Sequence, residues 1–159
     1  MNKTAVFPGS FDPITLGHES IVLRSIDLFD KIIVAIGRNW GKNNFFPIEA
    51  RFEFIKATFA EYPSVEVATF EGLTVNYCRK VNARYILRGL RTSADFEFER
   101  GIAQMNKKMH PDIDTVFLLS TPELTPVNST IIRDIYKNGG DISLFVPKAV
   151  VPLIGKFIG

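Results

Sequence analysis

The sequence contains a single cysteine, Cys78, and only two histidines, His18 and His110. These counts exclude an internal disulfide and leave too few ligands for a zinc site of the Cys/His type. Charge of one sign is also scarce, since 19 basic and 17 acidic residues give a formal net charge of +2. We therefore expect no nucleic-acid partner, because charge-driven nucleic-acid binders carry a strongly basic surface.

Long apolar runs are missing as well. No stretch approaches the roughly 20 apolar residues that a membrane helix requires, so no membrane partner is expected. The first apolar run stops at Pro8-Gly9, which does not fit a secretory signal peptide. We therefore expect a soluble protein of the reducing cytoplasm.

What is present is typical of a globular protein with a large core. Of 159 residues, 46% are hydrophobic and 14 are phenylalanine, which excludes the disordered and fibrous classes. No internal repeat, low-complexity tract or Ser/Gly linker interrupts the chain. We predict a single domain over residues 1–159.

Short apolar runs predict the strands. Strands buried on both faces of a parallel sheet are expected at Thr4 to Pro8, Lys31 to Gly37, Arg84 to Arg88 and Thr115 to Ser120. The run from Val65 to Phe70 includes polar residues, so we predict an edge strand there.

Segments with helical spacing lie between these runs. Apolar residues share one helix face in two sets, Ile21, Val22, Ile26 and Phe29, then Ile48, Phe52, Ile55 and Phe59. Further helices are predicted at Leu73 to Val81, at Ser93 to Met109, along the stripe Ile131, Ile132, Ile135 and Tyr136, and from Pro147 onward, with Pro152 as a kink or the true start. Strands that alternate with helices predict an α/β fold, a Rossmann-like five-stranded parallel sheet with helices on both faces.

Groups suited to binding an anion follow the carboxyl ends of the predicted strands, which is where open α/β sheets bind ligands. They are Gly9, Gly17 and His18 after the first strand, Arg38, Trp40 and Lys42 after the second, Arg88 and Arg91 after the fourth, and Asn128, Ser129, Thr130 and Arg133 after the fifth. Helix amino termini and guanidinium groups both favour phosphate. This shared location predicts a phosphate-binding site.

Each of these residues also has an ordinary structural interpretation. His18 could be a helix cap, and Arg38 and Lys42 could be solvated charges. Arg88 could form a structural ion pair. The remaining alternatives are Asp95 and Glu99 facing solvent or Arg91, Ser129-Thr130 as a plain helix cap, and Trp40 as packing at the rim or a partner contact.

Common nucleotide and hydrolase motifs are absent from the sequence. Gly41-Lys42 resembles the end of a P-loop, but Asn43 replaces the required Ser/Thr. No G-x-G-x-x-G follows a predicted strand and no G-x-S-x-G occurs, so neither a dinucleotide cofactor nor a serine hydrolase is expected.

The segment Phe7 to His18, which reads FPGSFDPITLGH, resembles the signature of the bacterial phosphopantetheine adenylyltransferases, a family of the nucleotidyltransferase superfamily. The resemblance continues through Arg88 to Arg91, Asp95 to Glu99, Met105-Asn106 and Asn128 to Thr130, and it runs essentially from end to end. It implies transfer of AMP from ATP to 4′-phosphopantetheine, which yields dephospho-CoA and pyrophosphate in the penultimate step of coenzyme A synthesis. It also implies Mg²⁺ as cofactor, a homohexamer, and dephospho-CoA, pyrophosphate and coenzyme A as ligands.

The same resemblance assigns site residues. Catalytic roles fall to His18, Lys42 and Arg88, and no residue is assigned as a metal ligand. Phosphopantetheine would contact Ser10, Lys42, Thr74 and Arg88. ATP would contact Ser10, Phe11, His18, Gly89, Leu90, Arg91, Glu99, Leu124, Thr125, Pro126, Val127, Asn128, Ser129 and Thr130.

This sequence departs from the family pattern at three places. Ser10 replaces a common Thr and keeps the hydroxyl, whereas Phe98 replaces a common Tyr and removes one. The run from Val127 to Thr130 is poorer in Ser than usual, which leaves the contacts of Asn128 open.

Chemistry of this kind needs alignment and charge neutralisation more than a strong base, because a phosphate monoester is already ionised near pH 7. We therefore expect His18 to stabilise the transition state at the α-phosphate. Lys42 would be shared between the attacking and transferred phosphates, and Arg88 would hold the incoming phosphate. Three alternatives remain open: another acceptor such as nicotinamide mononucleotide or glycerol phosphate, a non-catalytic nucleotide-sensing module, and RNA binding.

Overall fold

The structure is a computed structural model that describes residues 2–39 and 41–157. The strands are β1 (Thr4–Gly9), β2 (Lys31–Arg38), β3 (Val65–Glu71), β4 (Tyr85–Leu90) and β5 (Asp114–Leu119). The α-helices are α1 (Leu16–Ser25), α2 (Ile48–Thr58), α3 (Thr74–Lys80), α4 (Ser93–Met109) and α5 (Ser129–Lys137). Short 3-10 helices span Pro122–Leu124 and Val151–Lys156.

The strands form one parallel sheet in the order β3-β2-β1-β4-β5, so the predicted α/β fold is confirmed. The chain first builds outward from β1 through β2 to β3, and then returns to the other side of β1 for β4 and β5. Strand order therefore reverses between β1 and β4. Open parallel sheets bind ligands at the carboxyl ends of the strands beside such a reversal.

Side chains of the central strands alternate between two apolar layers, one on each face of the sheet. In β1, Ala5 and Phe7 join the larger cluster, whereas Val6 joins the smaller one. In β2, Ile32 and Val34 face the larger cluster and Ile33 the smaller. Both faces are covered, which is why these strands read as continuous apolar runs in the sequence.

The two edges of the sheet differ in how well the sequence predicts them. β3 is an edge strand, as predicted for Val65 to Phe70. The prediction that Thr115 to Ser120 is buried on both faces is wrong. β5 is the opposite edge, pairs only with β4, and leaves Leu119 69% exposed. An apolar run does not distinguish a buried strand from an edge strand whose faces are only partly covered.

Two helix predictions also need correction. The fully buried residues of α2 are Ala50, Arg51, Phe54 and Ile55, while Ile48 and Phe52 of the predicted face are only half-buried. Ile55 and Phe59 of the predicted face are buried, so the prediction is partly confirmed. The buried face is wider than predicted, because it also includes the side chain of Arg51. The tail is a 3-10 helix with Pro152 in its first turn, so Pro152 marks the start of this helix; residues 158–159 lie outside the described region.

No helix within residues 2–39 and 41–157 is both long and apolar enough to cross a membrane.

The connection from α3 into β4 is a tight Schellman turn. Strand β4 carries Arg88. Asn82 adopts a left-handed φ of 59°, its N–H donates to the carbonyl of Arg79, and the N–H of Ala83 donates to that of Cys78 at 2.8 Å. These two bonds satisfy carbonyls at the end of α3.

Asn82 allows a matched pair of substitutions at one exposed position. Asn82→Ala should lower the free energy of unfolding by about 1 kcal/mol, because a side chain with a Cβ and no local hydrogen bonding disfavours the left-handed conformation. Asn82→Gly should be neutral or stabilising, since glycine adopts this conformation without steric cost. Thermal unfolding at one fixed protein concentration compares them, and equal midpoints for the two variants would contradict the expectation.

Candidate active site

Two adjoining cavities open at the carboxyl edge of the sheet, beside the reversal between β1 and β4. The first has a volume of about 560 Å³ and the second about 550 Å³. They share a wall made by Pro8, Gly9, Ser10, Lys42, Arg88 and Glu99. Groups from β1, β4, α4 and the loop before α2 thus meet at one junction.

The first cavity gathers most of the residues predicted to contact ATP. Those that line it are Ser10, Phe11, His18, Gly89, Arg91, Glu99, Leu124, Val127, Asn128, Ser129 and Thr130. Leu90, Thr125 and Pro126 do not line it. Leu90 is buried at the end of β4, and the hydroxyl of Thr125 donates to the carbonyl of Thr121 at 3.3 Å.

The second cavity contains the residues predicted to contact phosphopantetheine, Ser10, Lys42, Thr74 and Arg88. Part of its wall is apolar, because Phe70, Ile86 and Ile102 contribute side chains. Arg38 and Asn39 line the outer part. Trp40, predicted as a rim or partner contact, lies outside the described residues.

His18 is held at the first turn of α1 by a capping box with Thr15. The backbone N–H of Thr15 donates to Nδ1 of His18 at 3.0 Å, and the hydroxyl of Thr15 accepts from the N–H of His18 at 3.3 Å. Because Nδ1 accepts a hydrogen bond from an N–H, the proton of the neutral ring lies on Nε2. His18 is therefore a helix cap and also a donor for the first cavity.

The surroundings of His18 keep its imidazole neutral. Phe11 packs edge-on against the ring at a centroid distance of 4.9 Å. Burial, together with the positive charges of Arg88 and Arg91, lowers the pKa of His18 from 6.5 to about 4, and burial has the largest effect. Near neutral pH, His18 can donate one hydrogen bond without bearing a charge.

Arg88 lies at the centre of the shared wall. The sequence predicted it at the end of a strand, but β4 extends two residues further, to Leu90. Its Nε and Nη2 donate to the two oxygens of Glu99 at 3.1 and 2.5 Å, and its Nη1 donates to the carbonyl of Pro8 at 2.7 Å. This fork orients the guanidinium toward both cavities.

Of the two acidic residues considered on α4, Asp95 faces Arg91, as one sequence alternative held, whereas Glu99 faces neither solvent nor Arg91. Glu99 faces Arg88, and its side chain is 13% exposed. Asp95 pairs with Arg91, at 3.3 Å between Oδ2 and Nε. Each cation of the motif from Arg88 to Arg91 thus has a carboxylate behind it, which fixes its direction.

The amino terminus of α5 closes the first cavity on the other side. Asn128 caps the helix by accepting from the N–H of Ile131 at 2.9 Å, so Asn128 takes the cap role that was left open for Ser129-Thr130. The hydroxyl of Ser129 donates to the carbonyl of Pro13 at 2.9 Å, and that of Thr130 accepts from Arg133 at 3.3 Å. Free N–H groups at a helix start favour a bound anion.

Asp12 and Arg51 were missed by the sequence reasoning, whereas Arg133 was among the predicted anion-binding groups. All three bind backbone that shapes the site. Asp12 accepts the N–H groups of Phe45 and Phe46, both at 2.8 Å, and Arg133 donates to the carbonyl of Asp12 at 2.9 Å. The available signal for Asp12 was Pro13 directly after it, since proline favours a rigid turn.

At the junction of the cavities, the ammonium of Lys42 donates to the hydroxyl of Ser10 at 2.8 Å. The described residues contain no group of three or more His, Cys, Asp or Glu that could hold a metal ion by themselves. Chemically, the arrangement can place two anionic groups on either side of Lys42 and Arg88 while a neutral imidazole donates to one of them.

A family model described as cytidylyltransferase-like matches residues 6–135. The phosphopantetheine adenylyltransferase of Flavobacterium psychrophilum is 53% identical over 93% of this chain and 97% of its own length. That of Caldanaerobacter subterraneus is 44% identical over 98% of both chains. A Vibrio parahaemolyticus structure described as a nicotinate-nucleotide adenylyltransferase has a TM-score of 0.76 at 20% identity, over 98% of this chain and 93% of that one; this similarity concerns the fold.

The protonation of His18 can be tested by NMR on protein with isotope-labelled histidine. The substitution His110→Gln leaves His18 as the single source of imidazole signals. The ring should show the neutral Nε2–H tautomer and begin to titrate only near pH 4. The unfolded chain takes up this proton near pH 6.5 and the folded chain only near pH 4. Acidification from pH 6.5 to pH 4 should therefore lower the free energy of unfolding. A midpoint near 6.5, or the Nδ1–H tautomer, would show that the capping geometry is different.

Proposed function

Since this chain belongs to the phosphopantetheine adenylyltransferases, within the cytidylyltransferase-like family, we infer that it transfers the adenylyl group of ATP to 4′-phosphopantetheine. The products are dephospho-CoA and pyrophosphate, in the penultimate step of coenzyme A synthesis. The observation that carries this conclusion is the junction of two cavities at Ser10, Lys42 and Arg88. Two anionic substrates that must react with each other need two pockets with a common cationic wall.

We assign ATP to the first cavity. Its lining combines the neutral donor of His18, the guanidinium of Arg91 and the amino terminus of α5. A polyphosphate needs several such donors spread over its length. We place the α-phosphate near His18 and the β- and γ-phosphates near Arg91, Ser129 and Thr130.

Phosphopantetheine belongs in the second cavity. Its phosphate would lie at the shared wall, against Lys42 and Arg88, and its uncharged arm would extend along the apolar side that includes Phe70 and Ile102. Thr74 at the start of α3 offers a polar contact on that path. A cavity with one charged end and one apolar side suits a ligand built the same way.

In the reaction, an oxygen of the phosphopantetheine phosphate attacks the α-phosphorus of ATP as the bond to the β-phosphate oxygen breaks. The new phosphoanhydride bond joins AMP to the acceptor phosphate and gives dephospho-CoA. The electron pair of the broken bond leaves with pyrophosphate. The attacking phosphate carries its own negative charge, so His18 need not remove a proton. Its Nε2–H, together with Lys42, is set to stabilise the charge that spreads over the α-phosphate.

Magnesium is proposed as the cofactor. The carboxylates nearest the cations of the first cavity, Glu99 and Asp95, are paired with Arg88 and Arg91, so they are not set up as a metal cage. Mg²⁺ commonly keeps several waters and binds through substrate phosphates, and the oxygen-rich lining near Ser129 and Thr130 fits an ion carried on ATP. When bound, it would neutralise phosphate charge.

A homohexamer in the cytoplasm, with coenzyme A as a further ligand, completes the proposal. Support for the assembly comes from an apolar stripe on α4, where Phe98, Ile102, Met105 and Met109 are exposed by 71%, 43%, 60% and 46%. These residues recur at helical spacing on one face, as a helix buried in an interface would. Sedimentation equilibrium measures the assembly directly.

The activity is tested in both directions with purified protein. Dephospho-CoA and pyrophosphate should yield ATP in the presence of Mg²⁺. In the forward direction, pyrophosphate should be released from ATP with phosphopantetheine and not with nicotinamide mononucleotide or glycerol phosphate. Chelation should abolish turnover and added Mg²⁺ restore it. Nucleotide binding without turnover, or preference for another acceptor, would overturn the assignment.

His18→Ala should lower kcat by about 10²–10³ with little change in KM, the usual cost of losing one donor aimed at the transition state. His110→Ala is the matched control, because His110 lies at the far end of α4, lines neither cavity and contacts Asn76. If His18→Ala raises KM and leaves kcat intact, His18 serves substrate binding instead.

A further inference from the structure

Arg51 is a buried cation that lines neither cavity. It lies on α2, is 3% exposed, and uses its guanidinium to join two backbone segments. Nε donates to the carbonyl of Phe46 at 3.0 Å, and Nη1 donates to the carbonyl of Ser10 at 2.8 Å. The first segment ends the loop that carries Lys42, and the second is the turn after β1.

Asp12 joins the same two segments from the other side. Its carboxylate lies in the turn after β1 and accepts the N–H groups of Phe45 and Phe46. Together, Asp12 and Arg51 form four hydrogen bonds between the turn at residues 10–13 and the loop end at 45–46, directly or through α2. We call these two residues the loop brace.

Among its described residues, the part of the loop next to Lys42 is held by local bonds. The N–H of Gly41 donates to the side chain of Asn39, and the N–H of Lys42 donates to the carbonyl of Asn39. The Lys42 side chain then crosses to the hydroxyl of Ser10. Both partners of this contact thus sit on segments whose relative position is set by the loop brace.

We propose that Arg51 is a positioning residue for adenylyl transfer, which fixes the backbone of Ser10 relative to the Lys42 loop so that ammonium and hydroxyl meet at the cavity junction. The proposal rests on the proposed function. Arg51 touches no substrate; it acts through Lys42 and Ser10.

An arginine suits this role better than other residues would. Its rigid fork presents donors in fixed directions, so one side chain can hold two carbonyls at a set separation, which the single ammonium of lysine cannot reproduce. Burial lowers the pKa of Arg51, and the carboxylates of Asp12 and Glu49 oppose that effect. A purely structural position at this depth would be filled at lower cost by an apolar side chain. The choice of a charge points to alignment.

Arg51→Lys tests the proposal, because it keeps the charge and loses the fork. We expect kcat to fall about 10- to 100-fold, which is the scale of rate loss from a displacement of about 1 Å. The KM for ATP should stay within about twofold of the parent value. In a Lys42→Ala background, Arg51→Lys should cause little further loss, since the group it positions is already gone. Additive losses, or full kcat in Arg51→Lys, would overturn the proposal.

Ile55→Ala is the matched control for plain destabilisation. Ile55 is fully buried on the same helix and lines neither cavity, and its apolar side chain has no group that could form a hydrogen bond to Phe46 or Ser10. Well below its unfolding midpoint, this variant should keep kcat within about twofold. A loss as large as that of Arg51→Lys would show that stability of α2 explains the effect.

Hydrogen exchange separates this proposal from the proposed function. In Arg51→Lys, and in Asp12→Asn should the first variant not fold, the amides of Phe45 and Phe46 should exchange at least tenfold faster than in the parent chain, while amides of β2 stay protected. If the parent chain shows no adenylyl transfer, the function is wrong, and this readout still decides the brace. Unchanged exchange at both amides overturns it.

Discussion

Arg88 holds its guanidinium between the carboxylate of Glu99 and the carbonyl of Pro8, and in doing so it connects β4, α4 and β1 where the two cavities meet. Two phosphates that must approach each other repel strongly in a site with little water. A mobile cation could bind either phosphate alone and would not align the two phosphates. Because the fork fixes Arg88 in place, the proposed function would bring both anions to the same point, where Lys42 would contact both of them.

The sequence predicts the frame of this site well, for reasons that lie in particular residues. β1 and β2 are covered on both faces, so their apolar runs are continuous and their ends fall near Gly9 and Arg38. Parallel strands end at one edge of the sheet, so the sequence alone places His18 and Arg88 at the same edge. The prediction that Thr115 to Ser120 is buried on both faces failed because the burial of an edge strand such as β5 depends on which strands pair, and pairing is a property of the whole sheet.

The details of the site depended on bonds between distant residues. His18 looked like either a cap or a catalytic group, and it is both a cap and a neutral donor, because the backbone of Thr15 occupies one ring nitrogen and leaves the other free. Glu99 is 11 residues from Arg88 in the chain, and helix α4 has to fold back on β4 before they meet. Arg51 was invisible for the same reason: its partner Ser10 lies 41 residues away.

Pairing Arg88 and Arg91 with carboxylates also limits how tightly the site can hold anions. Glu99 and Asp95 orient Arg88 and Arg91, but they cancel part of the charge that an arriving phosphate would meet. The neutral His18 adds direction without adding charge. An enzyme gains rate only from contacts that strengthen in the transition state, and both products keep their phosphates. This chain has a net charge of only +2, and its donors at one sheet edge are oriented and partly neutralised by carboxylates. Such a site can therefore stabilise the charge that builds up during transfer and still release two anionic products.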